Sequence, residues 1–323
     1  QLEAVVGRAI ERAWKLGAGP AGTLTIDVDS TICEVHGYAK QGAAYGYTKQ
    51  GAAYGYTRVL GYHPLLATRA DTGEVLHARL RKGSANTARG IVRFIDELLA
   101  RVARADDGEA IIVRADSGFY RHDVLDRLSR AGVGFSITIH QRQPVRAAID
   151  AIDERAWQRI DYPDGHAHVA ECSYRGRRLI VRRVRNHHGA QGQLFDTWRY
   201  HAFITNLAGS AWELDQRHRA HAVVELSIRD LKAGPLAHLP SGSFAANSAW
   251  LQCAVLAHNL LRWTAALGEH TRDQLIVAKT TRTRLIALPG RVVNRSGTPT
   301  LRLPTRWPWA HRFKVALRNL RAL

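Results

Sequence analysis

The first strong periodicity in the chain is TLTIDVDSTICEV, where apolar residues from Leu24 onward alternate with polar ones as on a half-buried strand. It ends in two acidic positions, Asp27 and Asp29, which share a face because strand side chains repeat every two residues. YHPLLATRADTGEVLHARLRKG then predicts two strands joined by a turn at Asp71–Gly73. After it the period changes. Ile91, Phe94, Ile95, Leu98, Leu99 and Val102 fall at helical spacing, with Asn86 or Thr87 as N-cap. AIIVRADSGF predicts a short strand ending at Asp116, followed by a helix over 121–130 and a strand in GFSITI. Three strands, helix, strand, helix, strand is the order of an α/β domain with an antiparallel start and a parallel continuation.

From about 141 to 205 the pattern turns to short strand-like pieces (HAHVAECSYRG, RLIVRRVR, YHAFITNL) broken by His-, Gly- and Arg-rich turns, which predicts a β-rich insertion. Helical spacing returns in AWELDQRHRAHAVVELSIRDLK and over 244–266. The tail beyond 270 is basic, with two short strand candidates and a final helix in WPWAHRFKVALRNLRAL. One stretch stands apart: KQGAAYGYT at 40–48 recurs unchanged at 49–57. Two copies are too few for a solenoid, so a duplication within a Gly/Tyr-rich loop accounts for it.

Composition narrows the functional class. A hydrophobic fraction of 46% excludes wholesale disorder. No apolar run reaches the roughly 18–20 residues of a membrane span. The longest, AWLQCAVLAHNLLRW, carries Gln252, His258, Asn259 and Arg262 and predicts a buried amphipathic helix. The N-terminal segment lacks the apolar core of a signal peptide, and the expectation is a soluble, cytoplasmic protein. Cys33, Cys172 and Cys253 are dispersed and odd in number, which argues against a zinc site or a disulfide framework. HAH at 166–168 and HH at 187–188 lack a companion pair at zinc spacing. No phosphate-cradling Gly-rich loop is visible, so no nucleotide cofactor is expected. The net charge of +18, carried largely by arginine, points to a polyanionic partner. Arginines at 175–185 and in the 282–323 tail alternate with apolar residues, as on elements presenting a basic face to DNA backbone. Trp198, Trp212 and Trp250 are packing residues first and base-stacking candidates second.

The candidate chemistry lies in the carboxylates. Phosphodiester cleavage suits hard oxygen ligands around Mg²⁺, often two ions roughly 3.5–4 Å apart, held by acids from separate elements. Asp27 or Asp29 and Asp116 stand at the ends of predicted strands, where ligands bind in α/β sheets. Glu225 is the third candidate. His218, His221, Glu225 and Lys232 are spaced by three, four and seven residues, which at 3.6 residues per turn puts them along one face of a helix, with Glu225 and Lys232 nearly in line.

The blocks TLTIDVDST, GYHPLLA, RADSGFY, HAFITNL and HRAHAVVELSIRDLKAG, in that order, resemble the DDE transposases of bacterial insertion sequences, specifically the IS thirteen-eighty group. The resemblance runs from about Leu24 to the WPW segment at 307–309. It implies an RNase H-like mixed sheet flanked by helices, with a β-rich insertion before the last catalytic helix. It also implies Asp29, Asp116 and Glu225 as the catalytic, metal-holding acids, with Mg²⁺ as cofactor and Mn²⁺ as substitute. Asp29 is favoured over Asp27 because Ser30–Thr31 follows it directly. In the superfamily pattern Tyr-x-x-Arg-x-x-x-Glu-x-x-x-x-x-x-Lys, Glu225 and Lys232 match, while His218 and His221 stand for the tyrosine and arginine. Lys232, His218, His221 and Arg229 are thus the expected DNA contacts. The implied partners are double-stranded DNA, both terminal inverted repeats and target, bound by a homodimer. The implied division is 1–20 as the remnant of an N-terminal helical region, 21–140 and 206–268 as catalytic core, 141–205 as insertion and 269–323 as basic extension. Two alternatives share these features: another RNase H-like nuclease, and a DNA-binding transposase remnant without activity.

Overall fold

The computed structural model describes residues 1–35, 44–45, 60–86, 88–105, 108, 110–163, 165–185, 198–267 and 277–321. Helix α1 (Leu2–Ala13) precedes β1 (Leu24–Ser30), a small sheet of β2 (Cys33–Glu34), β3 (Ala44–Tyr45) and β4 (Leu60–Tyr62), and the hairpin β5 (Leu65–Arg69) with β6 (Val75–Arg79). Then come α2 (Ile91–Ala105), β7 (Ile111–Ala115), α3 (His122–Arg130), β8 (Gly134–Thr138) and α4 (Gln143–Asp150). Strands β9 (Gln158–Ile160), β10 (Ala167–Tyr174), β11 (Arg177–Arg185) and β12 (Trp198–Thr205) follow. Next are α5 (Ala211–Arg219), α6 (Val223–Lys232), α7 (Phe244–Leu267) and the short α8 (Ala278–Thr281). A hairpin of β13 (Arg291–Arg295) and β14 (Thr298–Arg302) and helix α9 (Ala310–Arg321) end the described chain. The duplicated 40–57 segment lies outside the described residues except for Ala44–Tyr45.

Nine strands form one sheet in the order β6-β5-β1-β7-β8-β12-β11-β10-β9. β1 pairs antiparallel with β5 and parallel with β7, and β7 continues parallel with β8. This is the expected mixed α/β sheet flanked by helices. The strands of the 141–205 stretch extend the same sheet, because β12 pairs antiparallel with β8 through Phe203, Ile204 and Thr205. Ile26 and Val28 of β1, Val113 of β7 and Phe135 of β8 sit in the common core with Phe94 and Leu98 of α2 and Leu125 and Leu128 of α3. At roughly 1.5–3 kcal/mol per buried large apolar side chain, this burial is the main force assembling the sheet.

The polar residues inside α7 have a structural reason. β6 is an edge strand, whose outer backbone groups need partners once covered. Asn259 accepts from the Val75 amide and donates to the Val75 carbonyl, both at 2.8 Å. Gln252 donates to Ala78 O, and Arg101 of α2 to Leu76 O. His258 bonds Gly73 O in the β5–β6 turn, where Gly73 has φ 68°. Beside them the buried Glu74 accepts from the indoles of Trp14 and Trp263 and from Arg69.

Two local expectations change. Asn86 caps the turn before α2, through its Oδ1 and the Ala88 amide, rather than the helix itself; Thr87 lies outside the described residues. The segment 211–232 is not one helix, because a 3-10 turn at Ala220–Ala222 separates α5 from α6. Among the described residues no helix is long and apolar enough to cross a membrane.

Candidate active site

β1 and β7 set the geometry. Their parallel register pairs Asp27 with Arg114 and Val28 with Ala115, which puts Asp29 level with Asp116 where both strands end. Asp116 caps the short 3-10 turn Ser117–Phe119, with its Oδ1 2.9 Å from the Gly118 amide. Asp29 accepts a 2.6 Å hydrogen bond from the Ser30 amide. Glu225 comes from the first turn of α6, which packs across β1. Burial pushes the Asp29 carboxyl up to about 6; the Ser30 amide opposes this, the negative charges of Asp116 and Glu225 add to it, and His221 opposes it. The three acids therefore share one electrostatic environment. A cleft of about 360 Å³ opens over it, lined by Asp29, Ser30, Thr31, Glu225, Ile228, Arg229 and Lys232.

The donor set is all carboxylate oxygen, which suits a hard divalent cation. The crowding of negative charge around the half-buried Asp29 is the charge pattern that a cation relieves. Among the described residues no three His, Cys, Asp or Glu side chains already converge closely enough to hold an ion together.

The cleft also has a cationic side. Lys232, the last residue of α6, donates to Ile32 O at 2.9 Å, and Arg229 is exposed one turn before it. Opposite, the Ser30 hydroxyl bonds His63 Nε2 at 2.9 Å, while His63 Nδ1 bonds Ala85 O at the same distance. The carbonyl must accept, so His63 donates from Nδ1, and its Nε2 contact with the Ser30 hydroxyl holds the segment after Asp29 in place.

The two remaining histidines of the expected DNA-contact set point inward. His221 Nδ1 lies 2.9 Å from Asp27 Oδ1. The half-buried His218 bonds Ser136 at 2.6 Å and Thr138 at 3.0 Å, and stacks on Phe203 at 4.1 Å between ring centroids. Burial first, and then neighbouring cationic groups, push it down to about 3, so it is neutral at physiological pH. The reason is the break between α5 and α6. It removes His218 from the face that carries Glu225 and Lys232, and both of its ring nitrogens are already committed within the fold.

Asp27 is fully buried and cannot reach the cleft. Arg114 clamps it with Nε to Oδ1 at 2.7 Å and Nη2 to Oδ2 at 2.8 Å. The same guanidinium donates to the carbonyls of Arg217, in the last turn of α5, and Ala220, the first residue of the α5–α6 break. One arginine thus joins β1, β7 and the approach to α6.

The family model described as "Transposase DDE domain group 1" matches residues 3–323. The chain belongs to that family. No curated protein matches it. Among solved structures, a piggyBac transposase in a synaptic complex with hairpin DNA is similar at a TM-score of 0.50 and 9% identity, over 80% of this chain and 51% of that one. The chain therefore spans about half the length of that relative, and the likeness speaks to fold. A Mos1 transposase in a paired-end complex with the left transposon end matches at 15% identity over 44% of this chain and 43% of that one; its TM-score of 0.24 carries no argument.

Within this DDE domain, sequence reasoning missed Arg114 and His63. A signal for Arg114 existed: it lies two residues before Asp116, hence on the same strand face, in a parallel neighbour of the strand carrying Asp27. His63 had no such signal, since its partner Ser30 comes from a different element. The tryptophans are engaged internally. Trp198 stacks with the Arg183 guanidinium at 4.6 Å, Trp212 with that of Arg219 at 5.3 Å, and Trp250 donates to Pro235 O. His187 and His188 lie outside the described residues.

Proposed function

We propose that the chain is the catalytic part of a DDE transposase of the bacterial IS thirteen-eighty group, cutting DNA at insertion-sequence ends and joining the freed strand to target DNA. The observation that carries this reading is the placement of Asp29 and Asp116 where two adjacent central strands end, with Glu225 from α6, both Asp116 and Glu225 acting electrostatically on Asp29. These three residues would hold Mg²⁺, or Mn²⁺ in its place. Such ions supply Lewis acidity at the attacking and leaving oxygens. The chain's own groups do the rest. Lys232 and Arg229 bind and orient phosphate at the cleft; the Ser30–His63 pair fixes the backbone beside Asp29. His221 and His218 hold the scaffold and do not contact DNA.

The core is 21–140 with 206–268, the 141–205 insertion lengthens its sheet, and 269–323 is a basic extension. Duplex DNA is the partner, engaged by a homodimer in the cytoplasm. The test is incubation of the chain with labelled terminal-repeat duplex and an unlabelled target, with Mg²⁺, with Mn²⁺ and with chelator. Metal-dependent cleavage and products joined to target are expected. Cleavage without joining would point instead to another RNase H-like nuclease.

A further inference from the structure

The hairpin β13–β14 forms a sheet of its own, apart from the nine-stranded one. None of its residues lines the cleft over Asp29. Its turn is Ser296–Gly297, both with positive φ (49° and 82°), the two-residue geometry that matches strand twist and fixes register. That register pairs Arg291 with Arg302, Val293 with Thr300 and Arg295 with Thr298 on one face. Val292 with Leu301 and Asn294 with Pro299 occupy the other.

The first face is thus three arginines, two threonine hydroxyls and the half-buried Val293, without a carboxylate. Arg291, Arg295 and Arg302 are exposed, and none forms an ion pair among the described residues. Arg291 and Arg302 stand directly opposite one another. Like charges in such a cross-strand pair, with Cβ atoms roughly 4.5–5.5 Å apart, destabilise the ribbon on its own. Many arginines packed into the main sheet and its helices, by contrast, meet carboxylates: Arg69, Arg114, Arg178, Arg182, Arg183 and Arg262 do so. An element that concentrates unpaired arginines at self-repelling positions is complementary to a polyanion. The geometry also fits, because a two-stranded ribbon presents its exposed arginines in a row along one face, as contacts to successive backbone phosphates require.

We propose that the β13–β14 ribbon is a docking arm that lays its arginine face on the phosphate backbone of duplex DNA outside the catalytic cleft. The inference rests on the reading that the chain acts on DNA. Arg291, Arg295 and Arg302 supply charge-assisted phosphate contacts, and Thr298 and Thr300 supply hydroxyl donors between them. The contacts are to backbone, so the arm adds affinity without sequence preference.

The experiment measures binding of the full chain to a labelled random-sequence duplex across a salt series. It uses the parent, the triple variant Arg291→Gln/Arg295→Gln/Arg302→Gln, and the triple variant with lysines. With three phosphate contacts removed, the slope of log affinity against log salt falls by about 2.7, at about 0.9 per contact. The lysine variant keeps the parental slope. Circular dichroism confirms that each variant is folded, and its oligomeric state is read in parallel. A glutamine variant with the parental slope and affinity overturns the docking arm while leaving the DNA-processing reading intact. Unchanged DNA binding with altered self-association also overturns it, and assigns the ribbon to contact between copies. A parent chain that binds no duplex overturns both readings.

Discussion

Arg114 grips Asp27 with two parallel hydrogen bonds at 2.7 and 2.8 Å, in the interior of the sheet and two residue pairs below the level of Asp29 and Asp116. The pair explains why two acids on the same strand face have different fates. Asp27 is neutralised by a fork-shaped cation that also ties down the α5–α6 break, while Asp29 is left facing the cleft.

Removing either partner leaves the other as a buried, uncompensated charge. Arg114→Ala and Asp27→Ala should each lower stability by about 3–5 kcal/mol. The double variant should lose much less than the sum, because neither charge is then stranded. Urea denaturation of the four proteins checks this. Additive losses would mean that the pair is not a coupled unit.

Asp29 shows the opposite energetics. Its carboxyl is pushed up by burial and by two neighbouring acids, so in metal-free buffer its charge weakens the fold. Asp29→Asn should therefore raise stability by about 1 kcal/mol, the usual sign when a strained functional group is neutralised. A thermal melt in chelator reads the effect. A lower melting temperature would contradict the crowded-acid picture.

His218 separates a structural role from a DNA role. His218→Ala removes two hydrogen bonds and a stacked ring, a loss of about 2–3 kcal/mol. The salt dependence of DNA binding should not move. Lys232→Ala should do the reverse, lowering the salt slope by about one phosphate contact with little change in stability. Exchanged outcomes would restore His218 to the DNA-contact set.

His258 makes the fold acid-sensitive. Burial pushes it down to about 4, with Arg262 adding to the shift, so the unfolded chain takes up a proton at higher pH than the folded one. Stability from neutral His258 is complete above pH 6.5 and is lost as pH falls toward 4, by up to about 3 kcal/mol. His258→Gln keeps a donor for Gly73 O and should flatten that part of the curve. Denaturation midpoints at pH 7.5, 6 and 5 compare the two proteins; parallel curves would remove His258 as the cause.

Much of the fold was legible because its elements carry clean periods. The strands at Leu24 and Ile111, the Asp71–Gly73 turn and the helix from Ile91 all follow from alternation, helical spacing or turn chemistry. Strand ends offered Asp27 or Asp29 together with Asp116, and only the family resemblance singled out Asp29, which the β1–β7 register sets level with Asp116. What periodicity could not supply was the break at 220–222, since α5 and α6 keep helical spacing on either side of it. At that break Arg114, more than a hundred residues away in sequence, donates to the carbonyls of Arg217 and Ala220, a contact no local period signals. Projecting 211–232 as a single helix therefore put His218 on the wrong face. The polar residues of α7 were visible as a departure from an apolar run, but their purpose needed the edge strand β6.

The most direct measurement compares Asp27→Asn with Asp29→Asn, Asp116→Asn and Glu225→Gln in the cleavage of labelled terminal-repeat duplex, in Mg²⁺ and in Mn²⁺. Losing several kcal/mol of metal-assisted stabilisation should cut the rate by about a thousandfold or more in each of the last three. Those three should stay folded and bind DNA normally. Asp27→Asn should retain catalysis in whatever fraction remains folded. If Asp29→Asn, Asp116→Asn or Glu225→Gln cleaves as fast as the parent, that residue is not part of the catalytic set. If Asp27→Asn alone abolishes cleavage in folded protein, the first acid has been placed on the wrong residue.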